Sequence, residues 1–336
     1  MIKMDIFRKF PRTFLPAKGI LYSLPVLTGV IANRYGYKIP LILLPFIFLG
    51  CSQKPSLVWI PFNWESDTIS GKYVEKAYLY VPVNIEDLPH DFTMQLDLGT
   101  YPSSFYGNSI DVYLEEYPSL AENLDSTGMF HNVNLQMGAV EFKGIDVLYY
   151  KGFGEEIPKD SLHSKTPKHI GTITYDMFRD KFLVIDYKSC RFAVSDGLPA
   201  EYADLPTEEF ELVGGIMKLP FRINGEDCKL MFDTGSSPFQ LVTTKERALE
   251  ISDSVIVDSL SGPLWWGQEM TINGLEVNKP VEFGGRVLED SRVYYVEDEL
   301  WDGIYKNLDV WGIAGNAYFF DNIVVIDYKN KLFRIK

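Results

Sequence analysis

Two stretches of the chain carry an apolar run into an aspartate and then turn through glycine. They are Leu230-Met231-Phe232-Asp233-Thr234-Gly235-Ser236 and its weaker echo Met94-Gln95-Leu96-Asp97-Leu98-Gly99-Thr100. A carboxylate placed directly after such a run sits beside the core, where desolvation disfavours its charged form. One such aspartate reads as a buried turn cap. Two, delivered by related strands, would face each other, and like charges at that range cannot both ionise, so the pair holds one proton between them. One member can then take a proton from water while the other donates one to a carbonyl oxygen. Gly99 and Gly235 permit the tight turn and aim backbone N–H groups at the carboxyls. Thr100 and Ser236 supply hydroxyls that can donate to the outer carboxyl oxygens.

The elements that would position these groups are repeated. β-type runs at 77–85 and 92–97 recur as 217–223 and 228–233, the second pair joined by Asn224-Gly225, a strong hairpin signal. Further on, residues 171–178 and 182–188 align without a gap on 312–319 and 323–329, and both copies contain Val-Ile-Asp-Tyr-Lys. Two copies spaced at nearly half the chain predict duplicated lobes rather than a solenoid. Each lobe also has a helical candidate (110–123 and 244–251) and a hairpin candidate (133–142 and 264–272). The expected organisation is an all-β fold of two homologous lobes, 73–197 carrying Asp97 and 214–336 carrying Asp233. A linker rich in Pro and Glu joins them at 198–213, and 52–72 reads as a tether without periodicity.

At this point the chain resembles the pepsin and retropepsin superfamily of aspartic peptidases, over roughly residues 73–336. Asp233-Thr234-Gly235-Ser236 matches that family's Asp-Thr/Ser-Gly-Ser/Thr signature, and Ile313-Ala314-Gly315 matches its apolar-apolar-Gly element. The resemblance implies β-barrel-type lobes with a cleft between them, Asp97 and Asp233 on its floor, and a water activated between the two. Lobe one departs from the pattern. Leu98 stands where a hydroxyl residue would bridge to the opposite lobe, leaving Thr234 to brace the lobes from one side. Thr174 stands where a glycine belongs. There is no flap signature of the pepsin type, and Gln136, Met137 and Gly138, or Trp265 and Trp266, are the candidates for a cleft cover.

The net charge of −14 is unevenly placed, with seven Lys/Arg against one acid in residues 1–51 and a strongly acidic remainder. An acidic globular part argues against nucleic acid as a partner. Residues 1–51 read as an export segment: basic residues precede the apolar run 39–50, which is too short to span a bilayer as a helix. It ends at Leu49-Gly50-Cys51-Ser52, which resembles a bacterial lipobox, with Phe48 in place of the usual Leu. That implies lipidation of Cys51 and a chain anchored in the bacterial cell envelope, at the periplasmic face of the outer membrane or at the cell surface. A plain signal anchor, or a pair of membrane-associated segments that includes 19–32, is the alternative. Cys190 and Cys228 then remain, and their spacing favours free thiols over a disulfide.

His90, His131, His163 and His169 lack metal-ligand spacing, so no metal is expected. No Gly-x-Ser-x-Gly elbow, phosphate loop or Cys/His pair occurs, and no cofactor is expected. Asp186 and Asp327, though repeated, read as turn-adjacent residues at closing strands. The expected function is hydrolysis of peptide bonds in a peptide or unfolded protein by a monomeric aspartic endopeptidase. The alternative is a pseudo-peptidase that binds peptide or an envelope partner between the lobes without cutting, and Leu98 and Thr174 are its support.

Overall fold

The computed structural model describes residues 57–86, 88–264 and 268–336. The export segment with Cys51, and Trp265 and Trp266, lie outside the described residues. Strands hold 50% of the chain against 15% in helix, in keeping with an all-β fold.

The first half contributes β1 (Trp59–Pro61), β2 (Asn63–Ile69), β3 (Lys72–Ile85), β4 (Phe92–Leu96), β5 (Ser104–Tyr106), β6 (Met129–Met137), β7 (Val140–Tyr150), β8 (Lys168–Ile173), β9 (Phe182–Asp186) and β10 (Arg191–Ser195). Helices α1 (Gly107–Glu116) and α2 (Pro118–Ala121) follow β5. The second half contributes β11 (Glu208–Glu209), β12 (Glu211–Val213), β13 (Ile216–Ile223), β14 (Glu226–Asp233), β15 (Leu241–Thr243), β16 (Ser252–Leu264), β17 (Gln268–Val277) and β18 (Val281–Phe283). It closes with β19 (Arg286–Val287), β20 (Arg292–Val296), β21 (Gly312–Gly315), β22 (Ile323–Asp327) and β23 (Leu332–Ile335), with α3 (Lys245–Glu250) after β15 and α4 (Glu299–Leu308) before β21.

Alternation decides which way these strands face. In β3, Ala77, Leu79, Val81, Val83 and Ile85 are buried while the residues between them are at least partly open; in β4, Phe92, Met94 and Leu96 are buried. Successive side chains of a strand point to opposite faces, so Thr93, Gln95 and then Asp97 emerge on the face away from the core. The Asn224-Gly225 turn joins β13 to β14 with both residues at positive φ, as a type I′ turn requires.

The duplication is topological as well as sequential. One sheet runs β3-β4-β8-β5-β7-β6 and the other β13-β14-β21-β15-β20-β17, the same order of repeat-related strands. In each, the strand leading to the aspartate lies parallel to the later Gly-containing strand, β4 on β8 and β14 on β21. A third sheet, β1-β10-β9-β22-β23-β11, joins the halves. At its centre the two Val-Ile-Asp-Tyr-Lys runs pair antiparallel, and Val184 lies opposite Val325, its own counterpart in the repeat. That pair marks a pseudo-twofold axis. Leu183, Ile185, Val324 and Ile326 are fully buried here, and each contributes about 1.5–3 kcal/mol relative to exposure.

Two expectations are corrected. The stretch 52–72, read as a tether, is described from residue 57 on and there is structured: β1 forms an edge of the joining sheet, β2 pairs with β3, and Ile60 and Phe62 are buried. Pro61 disguised the alternation, yet proline is tolerated on an edge strand, and β1 is one. Likewise 198–213 does more than link, since β11 forms the opposite edge of the joining sheet on β23, and β12 pairs with β13. The two stretches are counterparts under the pseudo-twofold.

Candidate active site

Asp97 follows the last residue of β4 and Asp233 is the last residue of β14. Their carboxyl groups are buried beside each other, each lying against the glycine of the opposite turn. The glycines hold each carboxyl from both sides. Gly99 N–H donates to Asp97 Oδ1 at 2.9 Å and Gly235 N–H to Asp233 Oδ1 at 2.8 Å. Gly99 also lies flat on the opposite carboxyl, so that a Cβ there would stand 2.2 Å from Asp233 Cγ, and a Cβ on Gly235 would stand 2.6 Å from Asp97 Cγ. Glycine is needed at both positions for close approach rather than for its φ.

The pair is electrostatically lopsided. Asp233 accepts a second backbone bond, from Ser236 N–H at 3.2 Å, and lobe one has no equivalent. Burial raises the Asp97 carboxyl well above the usual carboxylate range; the neighbouring Asp233 carboxyl adds to this, while Gly99 N–H opposes it. Burial raises Asp233 too, but the Asp97 carboxyl and the Gly235 and Ser236 N–H groups favour its anion. The pair titrates as a unit, and two backbone N–H donors on Asp233 against one on Asp97 favour the anion on Asp233.

Thr234 is the brace between the two aspartate loops. Its hydroxyl donates to Leu96 O and accepts from Leu98 N–H, both at 2.8 Å, across the lobes. Leu98 has no hydroxyl to return these bonds and instead packs into the core. The roles expected for the Thr100 and Ser236 hydroxyls are corrected. No hydrogen bond joins Thr100 to Asp97 among the described residues, and the buried Ser236 Oγ has no partner, because Ser236 serves Asp233 through its backbone.

Thr174 fits its loop without glycine. Its N–H donates to Ser103 Oγ, its hydroxyl donates to Asp176, and Asp176 also accepts from Ser103 N–H and Oγ. Lobe two keeps Gly315, where a Cβ would stand 2.1 Å from Ser236 O, and supports its loop through Asn316. Asn316 Nδ2 donates to Thr234 O and Ser237 Oγ, and its Oδ1 accepts from Tyr187 OH. Asp176 and Asn316 went unnoticed in the sequence. Their signal was there: each is polar where its counterpart in the gapless repeat, Ala317 or Tyr175, is not an equivalent group.

Beside Asp97 the open face of lobe one is aromatic. Tyr80 stacks on His169 at 4.3 Å, Tyr106 meets the same ring edge-on at 5.4 Å, and Tyr106 OH bonds Thr172 Oγ1 at 2.7 Å. Burial holds His169 down at about 4, so it stays neutral. Burial pushes Tyr106 up to about 12, with the Asp97 charge adding to the rise. On lobe two, Trp301 and Tyr305 of α4 join a buried cluster with Met231, Val242 and Ile313.

The expected cover at Gln136, Met137 and Gly138 is corrected. Met137 is fully buried, and a Cβ on Gly138 would stand 3.3 Å from Pro61 Cδ, so this turn leans on β1 of the joining sheet and not over the carboxyls. Cys190 and Cys228 are free thiols. No cluster of His, Cys, Asp and Glu suited to a metal ion occurs among the described residues, and no helix among them is long and apolar enough to cross a membrane. No protein-family model and no curated protein matches the sequence.

Proposed function

We propose that the chain is an aspartic peptidase, with pepsin- or retropepsin-like lobes and Asp97 and Asp233 as its dyad. The observation that carries this reading is the pair of buried carboxyls brought together, each held by its own glycine N–H and pressed by the other lobe's glycine. In the mechanism, Asp233 takes a proton from a water held between the carboxyls as the water attacks the peptide carbonyl carbon. Asp97 donates its proton to the carbonyl oxygen, giving a tetrahedral diol. Its collapse needs a proton on the departing nitrogen, which Asp233 now carries, and one proton returns from the diol to Asp97. The substrate is a peptide or unfolded protein, and the chain acts as a monomer anchored through Cys51 in the bacterial envelope.

The pseudo-peptidase alternative draws on the one-sided Thr234 brace. It is disfavoured by the juxtaposition of the carboxyls, since a site freed from catalysis has no reason to keep two buried acids side by side. The test is cleavage of an unfolded protein at acid to neutral pH. Asp97→Asn and Asp233→Asn are each expected to lower the rate by about 10²- to 10⁴-fold, the range for a positioned acid or base. Undiminished cleavage by either variant would exclude this assignment.

A further inference from the structure

β3 does not stop where β4 ends. In the β3–β4 register Tyr80 lies opposite Gln95, so Tyr78 is level with Asp97, and β3 extends a further six residues to Lys72. Over that length its only strand partner among the described residues is β2, through Glu65–Tyr78, Asp67–Val74 and Ile69–Lys72. The result is a two-stranded arm that leaves lobe one beside the dyad.

Both ends of the arm are fastened. At its base, Trp64 stacks on Tyr187 at 6.2 Å and meets Phe320 edge-on at 5.2 Å, while Lys76 Nζ sits 4.3 Å from the Phe320 ring centroid. Tyr187 is the residue that holds Asn316, so the base rests on the support of the catalytic loop. At its tip, Ser70 Oγ donates to Ser261 O and Lys72 pairs with Asp258, both on β16 of lobe two. Ile69 lies against Gly262, 3.5 Å from a Cβ placed there, and is buried in the lobe-two cluster that includes Met231, Leu260 and Ile272. The arm thus runs from the joining sheet to the β16–β17 hairpin and walls the inter-lobe space beside Tyr78.

We propose that the β2–β3 arm closes one end of the substrate cleft, so that the protein trims peptides close to one terminus instead of cutting long chains internally. This rests on the peptidase reading. A strand residue spans about 3.3 Å and adjacent strands lie about 4.8 Å apart, so on the order of three substrate residues fit between the dyad and the outer arm strand. The arm stands on one side of the dyad only, so extension on the other side is expected to be tolerated. Lobe two meets the arm with an extension of its own: beyond Ile272 the β16–β17 hairpin no longer pairs with β20 among the described residues, and the arm tip fastens on this hairpin through Ser261 and Gly262.

The test uses non-cleavable peptides in which a hydroxyethylene group replaces the scissile amide and mimics the tetrahedral diol. They are extended by two to six residues on one side only, and their affinity for the wild-type chain is measured by calorimetry. Extension on one side is expected to cost at least about tenfold in affinity beyond roughly three residues, and extension on the other side to cost nothing. Ile69→Ala/Lys72→Glu is expected to relieve that loss, and its thermal unfolding reports whether it has folded. Equal tolerance on both sides of the wild-type chain would overturn the arm proposal and leave the dyad assignment standing. Absence of binding by every peptide, short ones included, would overturn both.

Discussion

The two lobes share a strand order and a joining sheet, yet they treat their aspartates differently. Lobe two gives Asp233 two backbone N–H donors, a threonine that reaches into the other lobe, and a glycine-tight loop supported by Asn316. Lobe one gives Asp97 one N–H donor, replaces the threonine by a buried leucine, and builds its loop on Thr174, Ser103 and Asp176. Lobe two thus favours an anion and lobe one a proton holder. A perfectly symmetric pair would hold its proton evenly; the extra donor on Asp233 tilts it. The loss of half the brace is tolerated because a single hydroxyl can both donate and accept.

The largest effect should come from exchanging the glycines for alanine. Gly99→Ala puts a methyl 2.2 Å from Asp233 Cγ, closer than any contact allows, whereas Gly235→Ala puts one 2.6 Å from Asp97 Cγ. Displacing a reacting group by about 1 Å can cost about a hundredfold in rate, so kcat for Gly99→Ala should fall at least that far, and further than for Gly235→Ala. Equal losses would mean that the lobes are not distinguished in the way described.

Next in size is the brace. Thr234→Val leaves Leu96 O and Leu98 N–H buried without partners, at roughly 1–3 kcal/mol each, so denaturant unfolding should show a loss of about 2–6 kcal/mol. Leu98→Val at the related position removes only a methylene from the core and should cost about 1 kcal/mol. A loss for Leu98→Val as large as that for Thr234→Val would show that both loops brace.

The raised carboxyl of Asp97 gives a pH signature. Asp97 has a folded-state pKa raised above its ordinary 3.8, so its contribution to stability is fully present below pH 3.8 and is lost as pH rises towards the folded value. The Asp97→Asn variant lacks that titration. Relative to it, the wild-type chain should lose stability as pH is raised above about 4, measured by urea unfolding across that range; a gap that stays constant with pH would refute a raised Asp97. The smallest effect should come from making lobe one resemble lobe two. Thr174→Gly removes the hydroxyl bond to Asp176 and adds backbone freedom, for a loss of about 1–2 kcal/mol in unfolding with the rate of cleavage little changed.

The repeat announced much of this arrangement from the chain alone. Asp233-Thr234-Gly235 specified its own cradle, because a bond from i+2 N–H to the aspartate is local and needs only the glycine turn. The Val-Ile-Asp-Tyr-Lys runs announced the duplication, and the pairing of Val184 with Val325 follows from a twofold axis acting on identical segments. The hairpin turns and the helices α1 and α3 were likewise legible, being set by nearest neighbours.

Other features depended on partners far away in sequence. That Ser236 serves Asp233 through its N–H and not its hydroxyl was settled by loop packing, as was the support from Asp176 and Asn316. The 52–72 stretch looked structureless because its strands make sense only against partners at 72–80 and 191–193. The local sequence determined that two aspartates would sit at the ends of buried strands. Only the tertiary structure decided that they meet and that an arm from lobe one closes on lobe two, because each of those depends on contacts between residues more than a hundred positions apart.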